Sequence, residues 1–128
     1  MIKKVYIVHH SHTDVGYTDL QEQIIYNQVN NIRNVISIIK KGYEQDGPEK
    51  GFKWNCETYY CVEQFLKGAS PQEQEDFFEL VRRGNIGISA TYLNFNDLAD
   101  ADMLDRRTAE LQELFTGRGL PVRAAMNA

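Results

Sequence analysis

The sequence predicts an α/β fold in which parallel strands alternate with helices. Short runs at residues 3–8, 52–56, 85–90 and 121–126 predict strands, and the first carries the apolar stretch from Val5 to Val8 that suits a strand buried on both faces. Helical periodicity or helix-capping residues occupy the intervals between these runs. The length of 128 residues, with 42% hydrophobic and 25% charged residues, fits one globular domain. The alternation predicts right-handed crossovers between parallel strands.

The first strand and the first helix have the clearest hydrophobic patterns. The strand over 3–8 carries a continuous apolar run, and a polar stretch over 9–19 follows it. From Leu20 to about Gly42 the apolar residues recur at spacings of 4, 3, 4 and 3, at Ile25, Val29, Ile32, Ile36 and Ile39. These positions share one face of a helix, which we expect to pack on the sheet.

The next elements are marked by their ends. The Gly47-Pro48 pair predicts a turn before the strand over 52–56, and residues 58–67 predict a short helix. Ser70-Pro71-Gln72-Glu73 then combines an N-cap serine, a proline at the first helical position and a glutamate that can reach back to the cap. This capping box predicts a helix that ends at Gly84.

The last predicted helix, over 100–115, begins with acidic residues. Asp100 and Asp102 suit capping and the positive end of the helix dipole, so we interpret both as structural. Asp97 lies in the loop 91–98, close to the same helix start. Spacing alone therefore leaves Asp97 either as a cap or as a residue of a site.

Composition excludes several classes of partner. The net charge is −4 without a Lys/Arg-rich stripe, so we expect no nucleic-acid interface. The apolar runs are too short to span a membrane. Cys56 and Cys61 are interpreted as reduced packing residues, which makes a cytoplasmic location the expectation. Four parallel strands leave open edges, which a homo-oligomer or further chain could cover. Because the chain stops where the fourth predicted strand ends, we interpret residues 1–128 as a truncated parent or a deliberately cut fragment.

Metal-ligand residues gather after the first predicted strand. His10, His12 and Asp14 stand at every second position, and an extended chain would place them on one side. Imidazole and carboxylate donors suit Zn²⁺. Glu57 and Asp97 follow the next two strands. Because ligand sites lie beyond the carboxyl ends of parallel strands, these residues are candidates for the same site.

The segment His12-Thr13-Asp14-Val15-Gly16-Tyr17, preceded by His10, resembles the opening motif of glycoside hydrolase family 38, the α-mannosidases. In that family a strand runs into a His-x-Asp-x-Gly-aromatic sequence. The resemblance implies that His12 and Asp14 bind zinc, with His10 as an extra ligand or a supporting residue. It also implies that Tyr17 lies under the sugar ring.

A second likeness covers Gly84 to Asp97, where a strand beginning with glycine leads into the loop of the nucleophilic aspartate. It implies that Asp97 is the nucleophile and a zinc ligand. Thr91-Tyr92-Leu93 stands where the family usually has Gly-Gly-Trp. Glu57, after Trp54, resembles a Trp-x-Glu feature with one residue added, which implies a substrate-binding role.

The resemblance implies the N-terminal part of a (β/α) barrel-like domain of a zinc-dependent retaining α-mannosidase. The acid/base and the last zinc ligand would follow Ala128, so we expect negligible turnover by residues 1–128. One alternative is a metal-dependent amidohydrolase- or phosphoesterase-like enzyme with a His-x-His site. Another is a truncated product without catalysis. The loop of Asp97 favours the glycosidase.

Overall fold

The computed structural model describes residues 1–7, 9–12, 14–16, 18–94, 100–120 and 122–125. Helices and two short parallel strands make up the regular structure of these residues, in the order α1 Gln21–Glu44, a 3₁₀ turn Pro48–Gly51, β1 Trp54–Cys56, α2 Tyr59–Gly68, α3 Pro71–Arg82, β2 Ile86–Ile88 and α4 Ala101–Thr116. The predicted α/β class is confirmed. In the part of the chain described, no helix is both long and apolar enough to cross a bilayer.

β1 and β2 pair in parallel, with Trp54 opposite Ile86 and Cys56 opposite Ile88. The helices α2 and α3 form the crossover between them. The carboxyl ends of both strands therefore lie at the same edge of the sheet, where the sequence predicts a site.

The predicted strand over 3–8 is wrong for residues 3–7, which form no strand in the structure. Val8 lies outside the described residues. A strand needs a hydrogen-bonded neighbour. Beside β1, the N–H of Asn55 donates to the carbonyl of His9, which follows the apolar run in the sequence. The side chains of Val5, Tyr6 and Ile7 are consequently exposed.

The predicted strand over 121–126 is also wrong for its described part, residues 122–125. These residues contribute one parallel bridge, between Ser89 and Ala124, in place of a strand. Ala90 N–H donates to the Ala124 carbonyl over 2.8 Å, so these residues contact the end of the sheet at one point and do not extend it as a further strand. Pro121 and Met126 lie outside the described residues.

The core confirms the hydrophobic face of α1. Val29, Ile32, Ile36 and Ile39 are buried, and Ile25 packs partly against them. An aromatic row joins α2, α3 and α4 through ring pairs whose centroids lie 5.3–5.6 Å apart: Phe65 with Phe77, Phe77 with Phe78, and Phe78 with Phe115. Such tilted and edge-to-face pairs favour one fixed packing of the helices.

The predicted caps of α3 and α4 are confirmed. Ser70 and Glu73 form the reciprocal capping box at the start of α3. The carboxylate of Asp100 caps α4 by accepting from Met103 N–H over 2.8 Å. Asp102 lies exposed in the first turn. The cap position of α4 therefore belongs to Asp100 and not to Asp97.

The interpretation of the cysteines is confirmed as well. Cys56 and Cys61 are both buried and are not joined in a disulfide. Burial raises the pKa of the Cys56 thiol, because a thiolate loses its hydration in the core. Cys56 is therefore a packing residue of β1.

Candidate functional site

The loop after residue 8 lies against α1 through side-chain hydrogen bonds. Gln28 donates to the His12 carbonyl over 2.9 Å, and Asn31 donates to Ser11 Oγ over 3.2 Å. Gln28 also reaches Ser11 Oγ at 3.4 Å. Gln28 and Asn31 are three residues apart on one side of the helix. The helix thus fixes the backbone of the loop that carries the predicted ligands.

His12 lies between two carboxylates. Its Nδ1 is 2.8 Å from Oε1 of Glu57, and its Nε2 is 3.1 Å from Oδ1 of Asp14. The Glu57 side chain is completely buried directly after β1, whereas 48% of the His12 side chain is exposed. The structure therefore brings Glu57, at the end of β1, to the loop that carries His12 and Asp14.

The two carboxylates favour a positive charge on His12. The hydrogen bond to Glu57 is the largest cause, and the negative charges of Glu57 and Asp14 add to it, so the pKa of His12 is raised above 6.5. In a neutral ring that donates from Nδ1, Nε2 and Oδ1 of Asp14 would be two acceptors facing each other at 3.1 Å. That contact needs a shared cation, either a proton on Nε2 or a metal ion.

The His12–Asp14 pair fits zinc. Nitrogen and oxygen ligands lie about 2.0–2.1 Å from a tetrahedral zinc, which puts two of them about 3.3 Å from each other. The observed 3.1 Å between Nε2 and Oδ1 is close to that separation. Within the described residues no group of three His, Cys, Asp or Glu side chains is arranged to hold a metal. This part of the chain thus offers two donors.

The other histidines of the motif are placed differently. His10 Nδ1 lies 3.7 Å from the same Oε1 of Glu57, beyond hydrogen-bond distance. The ring of His9 stacks on Phe52, with centroids 5.4 Å apart. His10 is therefore close to the carboxylate of Glu57, and His9 serves packing.

The loop that follows β2 begins beside Glu57. The first N–H groups of α2, those of Tyr59 and Tyr60, donate to the carbonyls of Thr91 and Tyr92 over 2.8 and 3.0 Å. These bonds satisfy donors that a helix start leaves unpaired, and they tie the loop to the end of β1. Asp97, which comes later in the sequence, and Tyr17 both lie outside the described residues. Their predicted roles stay predictions.

Comparison with known families shows which family the chain belongs to. A family model described as "Glycosyl hydrolases family 38 N-terminal domain" matches residues 3–105, most of the chain. The chain belongs to glycoside hydrolase family 38. The predicted family is confirmed, and membership implies a glycoside hydrolase with a carbohydrate substrate. No curated protein matches the chain.

Sequence reasoning missed several polar residues of this family 38 domain. Gln28 and Asn31 lie beside the apolar stripe of α1, and their spacing of three residues was the available signal.

Tyr92 donates to Glu63 over 2.9 Å. Burial, followed by this hydrogen bond, raises the pKa of Tyr92 to about 12. Arg107 lies 4.9 Å from the centre of its ring, so Tyr92 anchors the loop to α2 and α4.

Asn94, just before the undescribed part of the loop, has an unusual environment. Its side-chain nitrogen and oxygen are both enclosed, and neither has a hydrogen-bond partner among the described residues. An enclosed polar group without a partner costs about 1–3 kcal/mol. The described part of the fold therefore leaves both polar atoms of the Asn94 side chain without a hydrogen bond.

Proposed function

We propose that this family 38 chain carries part of the active site of a zinc-dependent retaining α-mannosidase. The observation that supports it most is the 3.1 Å approach of His12 Nε2 to Asp14 Oδ1 at the carboxyl edge of the sheet. The distance and the nitrogen and oxygen donors suit zinc, and membership of the family implies a carbohydrate substrate. His12 and Asp14 would hold the metal, with Asp97 as a third ligand.

In this proposal the nucleophile is Asp97. Its carboxylate forms a bond to the anomeric carbon while the bond from that carbon to the leaving oxygen breaks, and water later releases the sugar with retention. The acid that protonates the leaving oxygen is proposed to lie outside residues 1–128. Zinc, when bound, would supply a Lewis acid for the sugar hydroxyls. Tyr17 would pack under an apolar face of the ring.

The proposed parent fold is a barrel-like domain of strands and helices. β1, the helical crossover and β2 form one parallel unit of the type that such barrels repeat. The site of a barrel lies at the carboxyl ends of its strands, where Glu57 and the loop of Thr91 meet.

Labelling with a fluorinated mannosyl fluoride tests the proposed nucleophile. Fluoride leaves without protonation, so the attack does not depend on a general acid, and a second fluorine on the sugar slows release of the adduct. With zinc present we expect one sugar on the peptide that contains Asp97, and none after chelation or in Asp97→Asn. Asp100→Asn is the matched control, because Asp100 caps α4. A label on another residue, or equal labelling by the glucosyl analogue, would contradict the proposal.

A further inference from the structure

We infer that Glu57 is a positioning residue, which fixes the ring of His12 so that Nε2 faces Asp14. This inference rests on the proposed function, because the orientation matters only if Nε2 is the nitrogen that holds zinc. The carboxylate of Glu57 acts on the ligand and does not touch the sugar. The role differs from the substrate-binding role that the Trp-x-Glu likeness implies.

The first support is the hydrogen bond itself. The distance of 2.8 Å from His12 Nδ1 to Glu57 Oε1 lies in the range of charge-assisted bonds. A carboxylate accepts hydrogen bonds, so this contact assigns the donor role, and with it the proton, to Nδ1. In a neutral ring the lone pair is then on Nε2, which points at Asp14. The same contact thus selects both the tautomer and the direction of the ring.

The second support is burial. None of the Glu57 side chain is exposed, whereas 48% of the His12 side chain is, so a substrate in solvent can contact His12 but not this carboxylate. Enclosing a carboxylate is costly unless it is hydrogen-bonded, which makes a chance placement unfavourable.

The third support is rigidity. Glu57 directly follows β1, and its backbone carbonyl accepts from Thr91 Oγ1 over 3.5 Å. The next residues are fixed by the bonds from Tyr59 and Tyr60 to the loop after β2. A carboxylate on such a fixed backbone can orient a histidine in the more exposed loop. Partners of this kind support metal-binding histidines in many proteins.

The orientation is tested without metal in the Asp14→Ala protein, where Glu57 is the carboxylate left beside the ring. Long-range ¹⁵N NMR, at a pH where His12 is neutral, reports which nitrogen carries the proton. Free histidine in water favours the Nε2–H form. We expect the Nδ1–H form for His12, and a shift towards Nε2–H when Glu57→Gln is added. An Nε2–H ring with Glu57 intact would overturn the inference, and this holds even if the double variant does not fold.

Zinc titration supplies the second readout. In the protein that retains Asp14, we expect Glu57→Gln to weaken zinc binding about 10- to 100-fold. Glu79→Gln is the control, because Glu79 pairs with Arg82 and Arg83 on the surface of α3, and it should leave the affinity unchanged. Equal zinc affinity in Glu57→Gln and wild type would overturn the positioning role while leaving the zinc site intact. A wild type that binds no zinc would overturn the proposed function, and the tautomer would still decide whether Glu57 orients His12.

Discussion

The side-chain amide of Gln28 donates to the main-chain carbonyl of His12 over 2.9 Å. A residue in the first half of α1 thereby holds the backbone of a predicted zinc ligand, while Glu57 holds the ring of the same residue from the sheet. His12 is consequently fixed from two independent elements. These two contacts give the exposed loop a defined geometry.

Gln28→Ala should loosen the loop without unfolding the protein. Loss of the bond to His12 removes one of the contacts to α1, so we expect faster amide hydrogen exchange over residues 9–16 and weaker zinc binding. Gln23→Ala is the matched control, because the Gln23 amide bonds to Asn27 on the exposed face of the same helix. Identical exchange in the two variants would contradict the role given to Gln28.

Gly42→Ala should destabilise the fold although alanine is the better helix former. A Cβ at Gly42 would lie 2.3 Å from the backbone nitrogen of Lys50, where α1 meets the 3₁₀ turn. We expect a loss of about 1–3 kcal/mol in the free energy of unfolding, measured by urea denaturation. At Gly68, the last residue of α2, a Cβ meets no atom within 4 Å. Gly68→Ala should be neutral or stabilising by up to about 1 kcal/mol, and equal losses at both glycines would contradict this packing.

Asp100→Ala should cost more than Asp102→Ala. Asp100 accepts a backbone hydrogen bond as the cap of α4, so its loss should cost about 0.5–2 kcal/mol of unfolding free energy. Asp102 is an exposed residue of the first turn and offers a favourable charge, which is typically about 0.3–1 kcal/mol. Urea denaturation of both variants measures the difference, and a smaller loss for Asp100→Ala would contradict the assignment of the cap.

Glu73 should make part of the stability depend on pH. The backbone N–H of Ser70, followed by Arg33, lowers the pKa of Glu73 from 4.5 to about 2. Because the pKa is lower in the folded state, the contribution is fully present above 4.5 and is lost as the pH falls towards 2. Glu73→Gln keeps a side-chain acceptor but cannot ionise.

We therefore expect the stability difference between wild type and Glu73→Gln to be largest near neutral pH and to shrink below pH 4.5. Thermal unfolding between neutral pH and pH 3 measures it. Glu75→Gln, on the exposed side of the same helix, controls for the removal of one charge. A difference that stays constant across this range would contradict the capping contribution.

The elements that the sequence predicted well depend on chemistry between near neighbours. Ser70 and Glu73 satisfy each other three residues apart, and the apolar spacing of α1 repeats within single turns. The two wrongly predicted strands, over 3–8 and 121–126, would need neighbouring strands to pair with, and a local sequence pattern does not specify those neighbours. Residues 3–7 are apolar enough for a strand, but in the structure no neighbouring strand pairs with them among the described residues.

The site was predictable in part for the same reason. The pairing of His12 with Asp14 follows from their separation of two residues, whereas the bond from His12 to Glu57 spans 45 residues and requires the fold. Gln28 and Asn31 depend on how α1 lies against the loop, which no local pattern encodes. Asp97, Tyr17, the cytoplasmic location and a homo-oligomer stay predictions.

Zinc titration of four proteins tests the central claim, that His12 and Asp14 hold one metal ion together. Wild type should bind one zinc per chain, and His12→Ala and Asp14→Ala should each lose most of that affinity. His9→Ala, in which the ring stacked on Phe52 is removed, should bind as the wild type does. Equal zinc content and affinity in all four proteins would contradict the account.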